Sequence, residues 1–303
     1  MNRPSLRTRA MNLWLRRVEK PQLAREQDPL KLRRRFEQQA RWFFRGPREA
    51  HYAPGERGGV VTLDVSAVDG DGDTVLLYLH GGAYVMGSPQ THKTMVARLC
   101  ALAKCRAVLP DYRKAPEHPF PAAVEDAVAV YRALLDDVLD ASQILIGGDS
   151  AGGGLALALL GEICRLGLDQ PAGLFALSPL TDMTFTSRSI AENAEADALL
   201  PVSRTEDMKR YYLGDADPRD PRCSPLFADF TGACPVWLTV GDTEILRDDS
   251  VRLAERLDAQ GVDVRLTVEH DLPHVWPMFH NTLPEARRSL EEIAGWITSR
   301  STR

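Results

Sequence analysis

Short apolar runs alternate with longer stretches of helical periodicity along most of this chain. The runs are rich in Val, Ile and Leu and predict strands at 60–67, 74–80, 106–111, 143–147, 173–178, 236–241 and 262–270. Stretches with apolar residues every three or four positions predict helices at 93–103, 121–137, 151–166, 247–260 and 284–299. Alternating strands and helices indicate an α/β fold with a mostly parallel central sheet and helices on both faces. The alternation of polar and apolar residues at 60–67 is typical of an edge strand.

Two segments break this order. Residues 4–50 have a helical pattern that Pro21 and Pro29 are expected to interrupt. The stretch 181–233 shows no obvious strand and is too long for a simple connection. We therefore expect N-terminal cap helices over 1–50 and a catalytic domain over 51–303, with a cap insertion at about 183–222.

Two glycine motifs follow predicted strands. Ser150 lies in a Gly-Asp-Ser-Ala-Gly run at 148–152, between a strand and a small-residue helix. That is the setting of a nucleophile elbow, a sharp turn that holds a serine hydroxyl above the sheet. Gly81 and Gly82 follow the strand at 74–80, and their backbone N–H groups are free to point at an oxyanion. Both motifs lie at the carboxyl ends of strands, where ligands bind in such sheets.

A serine nucleophile needs a base and an acid that orients it. Among seven histidines, His274 has the right place, in the loop between the last strand and the final helix. The acid is expected after the preceding strand, where Asp242, Glu244 and Asp248 stand. The chain order Ser, acid, His is the order of this fold. The residues alone leave the three acids open.

Charge is distributed unevenly along the chain. Residues 1–50 hold 14 basic and 5 acidic residues, a net charge of +9, whereas residues 51–303 hold 23 basic and 37 acidic residues, a net charge of −14. A membrane surface, nucleic acid or organelle targeting would explain a basic segment. Its helical apolar spacing and interspersed acids favour a cap whose arginines face solvent and pair with the acidic body. We therefore predict no nucleic-acid partner.

The composition narrows the class further. A chain of 303 residues with 44% hydrophobic content suits one large α/β domain with an added piece. Five cysteines without metal-ligand spacing favour a reducing compartment. Neither a hydrophobic signal core nor an apolar stretch near 18 residues is present, so we expect a cytoplasmic protein without a membrane span. Nothing implies a metal or a cofactor.

With these residues in view, the chain resembles the hormone-sensitive-lipase-like family of α/β-hydrolase carboxylesterases, from about 60 to 300. The family's His-Gly-Gly motif matches 80–82, with Ala83 in place of a frequent third glycine, and its Gly-Asp-Ser-Ala-Gly motif matches 148–152. A long family segment matches Asp-Tyr-Arg-Lys-Ala-Pro-Glu-His-Pro-Phe-Pro-Ala-Ala at 111–123, the most specific of the three. The family's acid segment aligns with 244–248 and favours Glu244, with Asp242 in reserve.

The resemblance implies an α/β-hydrolase fold with a helical cap, and a role for each motif. The implied triad is Ser150, Glu244 and His274, with oxyanion donors on Gly81, Gly82 and Ala151. The implied substrate is a small apolar ester with a short to medium acyl chain. The residues flanking the catalytic loops are expected to line its pocket: Tyr84, Met86, Ile245, Val275 and Trp276.

Other functions fit parts of the pattern. The same triad can open a lactone or an aryl amide. A non-catalytic small-ligand receptor also exists on this fold, but such relatives have lost the triad histidine, which is present here as His274. Many relatives dimerise through the last strand and helix, so the resemblance also allows a homodimer.

Overall fold

A computed structural model describes residues 3–67, 72–137 and 140–301. Its centre is an eight-stranded sheet with the order β1-β2-β4-β3-β5-β6-β7-β8. The strands are β1 His51–Arg57, β2 Val60–Ser66, β3 Val75–Leu79, β4 Arg106–Pro110, β5 Ile144–Asp149, β6 Gly173–Leu177, β7 Val236–Gly241 and β8 Val264–Glu269. The helices are α1 Leu6–Trp14, α2 Lys20–Arg25, α3 Pro29–Phe43, α4 Pro89–Ala103, α5 Ala122–Asp137, α6 Ser150–Leu166, α7 Arg188–Glu192, α8 Thr205–Tyr212, α9 Arg247–Ala259 and α10 Pro284–Ser301.

The sheet confirms the predicted fold class. Strands β3 to β8 run parallel, whereas β2 is antiparallel to β4 and to β1. The prediction of an edge strand at 60–67 was wrong, because β1 lies outside β2 and forms the edge. Pro54 and Gly55 are typical of a linker, so the sequence pattern does not predict β1. An edge strand nevertheless tolerates proline.

The core lies on both faces of the sheet. Helices α5, α6 and α9 cover one face, with strand residues such as Leu77 and Ile146. Helices α4 and α10 cover the other, with Leu76 and Leu145. Strands β3 to β7 are buried almost throughout, as expected for parallel strands between two helical layers.

The N-terminal helices differ from the prediction at one proline. Pro21 does not interrupt the run, because α1 continues through a π-helical turn, Leu15–Glu19, into α2. Proline removes an N–H group and crowds the preceding turn of a regular α-helix. The wider π turn lies directly before Pro21 and accommodates this change. Pro29 does begin a new helix, α3, and Asp28 caps it by accepting from the N–H of Leu30 at 2.8 Å.

The stretch between β6 and β7 folds as predicted, without a strand. Residues 181–233, all of them described, form α7, α8 and short turns. This stretch is tied to the N-terminal helices by side chains: Arg16 donates to the carbonyl of Ala196 at 2.7 Å, and Lys20 donates to that of Ala194 at 2.6 Å.

The described helices include none that is both long enough and apolar enough to cross a bilayer.

The close approach of α6 to the end of β3 gives a test of the packing. A Cβ atom on Gly152 would lie 2.2 Å from the carbonyl oxygen of Leu79 and 2.3 Å from that of His80. Because both obstacles are backbone atoms, Gly152→Ala is expected to lower the free energy of unfolding by at least about 2 kcal/mol, measured by urea titration.

Gly295 supplies the matched control. It is exposed on α10, and a Cβ atom there would meet nothing within 4 Å. Gly295→Ala is therefore expected to raise the free energy of unfolding by about 1 kcal/mol. Equal stability of Gly152→Ala and the parent would contradict this packing.

Candidate active site

The turn between β5 and α6 places Ser150 at the carboxyl edge of the sheet. Ser150 has a φ of 53°, in the left-handed region that L-residues rarely adopt. Two glycines permit this turn, because a Cβ atom on Gly148 would lie 2.4 Å from the carbonyl oxygen of Gly152, and Gly152 itself packs on β3. A strained nucleophile on a sharp strand-to-helix turn is the geometry of a nucleophile elbow.

The structure brings Ser150, His274 and Glu244 into one hydrogen-bonded chain. His274 Nε2 lies 2.9 Å from Ser150 Oγ, and His274 Nδ1 lies 2.6 Å from Glu244 Oε2. His274 and Glu244 are buried, whereas Ser150 is partly exposed. This geometry can move the proton of a serine hydroxyl onto an imidazole that a carboxylate orients.

The charge of Glu244 decides how His274 titrates. Burial acts to lower the pKa of His274, but the adjacent Glu244 carboxylate opposes it through charge and hydrogen bonding, and the net pKa is raised. The site therefore stabilises the imidazolium that forms when His274 accepts a proton.

The carboxylate oxygen of Glu244 that does not contact His274 is also hydrogen-bonded. Glu244 Oε1 accepts from the N–H of Gly241 at 2.6 Å and from Ser178 Oγ at 2.8 Å. Ser178 Oγ in turn lies 3.3 Å from the N–H of Val275. Ser178 and Val275 have φ of 46° and 49°. Backbone strain is thus concentrated at the residues that position the acid and the base. Sequence analysis did not identify Ser178.

The other two candidate acids have different partners. Asp242 lies 2.7 Å from His270 Nδ1 near the surface and raises the pKa of that histidine by hydrogen bonding and charge. Asp248 accepts from the N–H of Ser189 at 2.9 Å. The described contacts of His274 therefore include Glu244 and neither aspartate.

The insertion between β6 and β7 forms hydrogen bonds with the loop that carries Glu244. Asn193 Nδ2 donates to the carbonyls of Glu244 at 2.8 Å and Asp242 at 3.0 Å. Asp197 Oδ2 accepts from the N–H of Ile245 at 2.9 Å. No sequence pattern predicts either contact, because they join residues about 50 positions apart.

The glycine loop after β3 corrects one predicted oxyanion donor. The N–H of Gly81 donates to Asp149 Oδ1 at 3.1 Å, so it is not free. Gly82 and Ala83 follow it and line the cavity beside Ser150. The N–H of Ala151 belongs to the first turn of α6 and lacks an acceptor within the helix. Gly82, Ala83 and Ala151 therefore remain as candidate oxyanion donors, and the aligned third glycine position would have pointed to Ala83.

Asp149 and His80 support this loop. Asp149 also accepts from the hydroxyl of Tyr78 at 2.8 Å and lies 3.3 Å from His92 Nε2. His80 Nδ1 lies 2.9 Å from the carbonyl oxygen of Gly81. Burial, reinforced by Lys114 and His92, holds the pKa of His80 well below its usual range. A neutral, enclosed His80 is suited to supporting this loop.

A cavity of about 530 Å³ adjoins Ser150 and His274 and extends beneath the N-terminal helices. Its lining is mainly apolar, and its polar side chains include the hydrogen-bonded group of Glu19, Arg35 and Gln39. No group of three or more His, Cys, Asp or Glu side chains in the described ranges could hold a metal ion.

Comparison with known proteins agrees with this fold. A family model described as the alpha/beta hydrolase fold matches residues 76–278. An acetyl-hydrolase of Streptomyces hygroscopicus is 40% identical over 225 residues, covering 74% of this chain and 75% of its own. An esterase of Acinetobacter venetianus is 37% identical over 246 residues, covering 81% and 80%. The crystal structure of an esterase from the bacterial hormone-sensitive lipase family superposes with a TM-score of 0.93 at 37% identity, covering 99% and 100%.

The chain belongs to the hormone-sensitive-lipase-like family of α/β-hydrolases. The enzyme is a carboxylic ester hydrolase.

The esterase's cavity corrects part of the predicted pocket. Met86 and Val275 line it, but three predicted residues do not. Tyr84 stacks on Tyr212 of α8 with ring centroids 3.7 Å apart. Trp276 donates to Ser289 Oγ of α10 at 2.8 Å, and Ile245 is buried in the core. Each turns away because it packs a neighbouring element.

Most of the pocket aromatics come instead from the N-terminal segment, with Phe279 as an exception. Trp14, Phe36 and Phe43 line the cavity, although apolar residues at such positions can also form the interior of the cap. Their helical spacing allows either place, so the sequence could not decide between them.

Replacing Glu244 tests the assignment of the acid. Glu244→Gln removes the charge that raises the pKa of His274, so the acid limb of the kcat/KM profile is expected to move to lower pH. The rate itself should fall by on the order of 10⁴-fold, as when an orienting carboxylate becomes an amide elsewhere. Initial rates on a soluble ester across pH measure both effects.

Asp242→Asn is the matched control. Asp242 contacts surface groups, so its replacement should leave both the rate and the acid limb nearly unchanged. The reverse pattern, with Asp242→Asn inactive and Glu244→Gln active, would rule out Glu244 as the acid.

Proposed function

We propose that this protein is a serine carboxylesterase acting on short to medium acyl esters through Ser150, His274 and Glu244. The observation that carries this proposal is the unbroken hydrogen-bonded chain from Ser150 Oγ through His274 to Glu244, beside an apolar cavity. The cap helices over 1–50 and the insertion at about 183–222 cover the site in this proposal.

The reaction proceeds in two halves. In the first half, Ser150 Oγ attacks the ester carbonyl carbon while His274 Nε2 takes the hydroxyl proton of Ser150. The N–H groups of Gly82, Ala83 and Ala151 hold the oxyanion. When the carbon–oxygen bond to the alcohol breaks, His274 gives its proton to the leaving alcohol and an acyl-enzyme remains. In the second half, His274 deprotonates a water that attacks the acyl group, and the acid leaves as Ser150 recovers its proton.

The size and lining of the cavity favour small substrates. Its volume of about 530 Å³ lies in the usual range for small-molecule sites, and its apolar lining suits an acyl chain. Two relatives point the same way: one is named an acetyl-hydrolase, and one structural neighbour, 36% identical, was soaked with p-nitrophenyl butyrate.

A chain-length series tests the proposal. Initial rates on p-nitrophenyl esters of increasing acyl length should be highest for short to medium chains. Ser150→Ala should reduce the rate to the residual left by the oxyanion donors alone. Ser203→Ala is the matched control, because Ser203 is exposed, and it should hydrolyse at the parent rate.

The remaining alternatives give distinct outcomes. Faster turnover of a lactone or an aryl amide than of every ester would replace the esterase by a lactonase or amidase on the same triad. Absence of turnover on all three classes would leave the non-catalytic receptor and contradict the proposal.

A further inference from the structure

Helix α1 buries polar residues and leaves large apolar residues exposed. Its buried residues are Thr8 and Asn12. Thr8 donates to Glu285 Oε2 at 2.8 Å, and Asn12 donates to the carbonyl of Asp271 at 2.8 Å. A surface helix of a globular protein normally buries its apolar stripe. The polar anchors thus hold α1 in the opposite orientation.

The outward side of α1 carries large apolar residues. Leu6 is 79% exposed and Leu13 is 49% exposed. Six of the nine exposed large hydrophobic residues in the described part of the chain lie on the N-terminal helices: Leu6, Leu13, Trp14, Leu30, Trp42 and Phe43. Such clustering differs from the scattered apolar residues of an ordinary surface and marks an interaction site.

Cationic side chains lie among these apolar ones. Arg9 and Arg17 stand one helical turn before and after Leu13, so they share its side of the helix. Both are exposed, and the ion pairs of the described residues include neither. The first 50 residues carry +9 and the rest −14, so positive charge is concentrated at this end.

The same helix reaches the active-site cavity. Ala10, Met11 and Trp14 line it, and the ring of Trp14 lies 6.2 Å from that of Phe43, which also lines it. Trp14 and Phe43 are both partly exposed. One element therefore presents an apolar, cationic face to solvent and forms part of the wall of the cavity.

We propose that the outer face of α1 and of the π turn that follows it, formed by Leu6, Arg9, Leu13 and Arg17, docks on an anionic phospholipid surface. Leucines would enter the acyl boundary while arginines contact lipid phosphates, the division of roles found in interfacial helices. The leucines that alternate with arginines along this face favour lipid over nucleic acid, whose backbone offers them no apolar partner. Docking brings the aromatic wall of the cavity to the lipid.

Vesicle co-sedimentation tests this, with full-length protein and vesicles of phosphatidylcholine alone or mixed with phosphatidylglycerol. The parent should sediment with the mixed vesicles, remain in solution with the neutral ones, and be released by high salt. Leu6→Gln/Leu13→Gln should weaken binding by at least about tenfold. Arg9→Gln/Arg17→Gln should do the same for the mixed vesicles. None of these four residues lines the cavity.

The control pair replaces exposed apolar residues elsewhere. Val61 on β2 and Val268 on β8 are 60% and 45% exposed, so Val61→Gln/Val268→Gln should bind as the parent does. Thermal unfolding confirms that each variant folds. Because binding needs no turnover, the result stands apart from that of the proposed function.

Several outcomes would overturn the proposal. Among them are a parent that ignores mixed vesicles, leucine variants that bind as the parent does, and equal losses in the valine control. A parent dimer that only the leucine variant turns into a monomer would assign the face to a second copy. Retention of an RNA or DNA duplex with no vesicle binding would assign it to nucleic acid.

Discussion

The buried carboxylate of Glu244 is the constraint on which the site depends. A carboxylate removed from water destabilises the fold unless donors surround it. Here the N–H of Gly241, the hydroxyl of Ser178 and the ring of His274 supply them. These donors come from the ends of β6, β7 and β8, so one side chain ties three strand ends together. Strained backbone at Ser178 and Val275 is tolerated because this network fixes it.

The insertion after β6 contributes to the hydrogen-bond network around Glu244 as well as to the cover of the site. Asn193 and Asp197 bind the backbone of the loop that carries Glu244. Arg16 and Lys20 join the N-terminal helices to the same insertion. A short series of hydrogen bonds therefore joins the N-terminal helices to the loop that carries the acid.

Sequence patterns predicted the parts of this molecule that depend on local chemistry. Apolar runs located β2 to β8, and the strand–glycine–serine–helix order located Ser150. The place of the last loop selected His274, and the resemblance to the family's acid segment favoured Glu244. The structure places both within hydrogen-bonding distance in one chain with Ser150. Each of these signals lies within a few residues of the feature that it predicts.

The features that sequence analysis missed depend on contacts between distant segments. Gly81 loses its free N–H to Asp149, which is 68 residues away. Tyr84 and Trp276 leave the pocket to pack on α8 and α10. The polar anchors of α1 are its contacts with Glu285 and Asp271, more than 250 positions along the chain. Helical periodicity places α1 on the surface but cannot say which of its sides faces inward.

Covalent labelling tests most directly the claim that His274, held by Glu244, makes Ser150 nucleophilic. Diethyl p-nitrophenyl phosphate should release one p-nitrophenolate per chain as activity falls, and peptide mass analysis should place one diethylphosphoryl group on Ser150. The same reaction should be much slower in Glu244→Gln. Inactivation without modification of Ser150, or labelling of Ser150 at the parent rate in Glu244→Gln, would contradict the account.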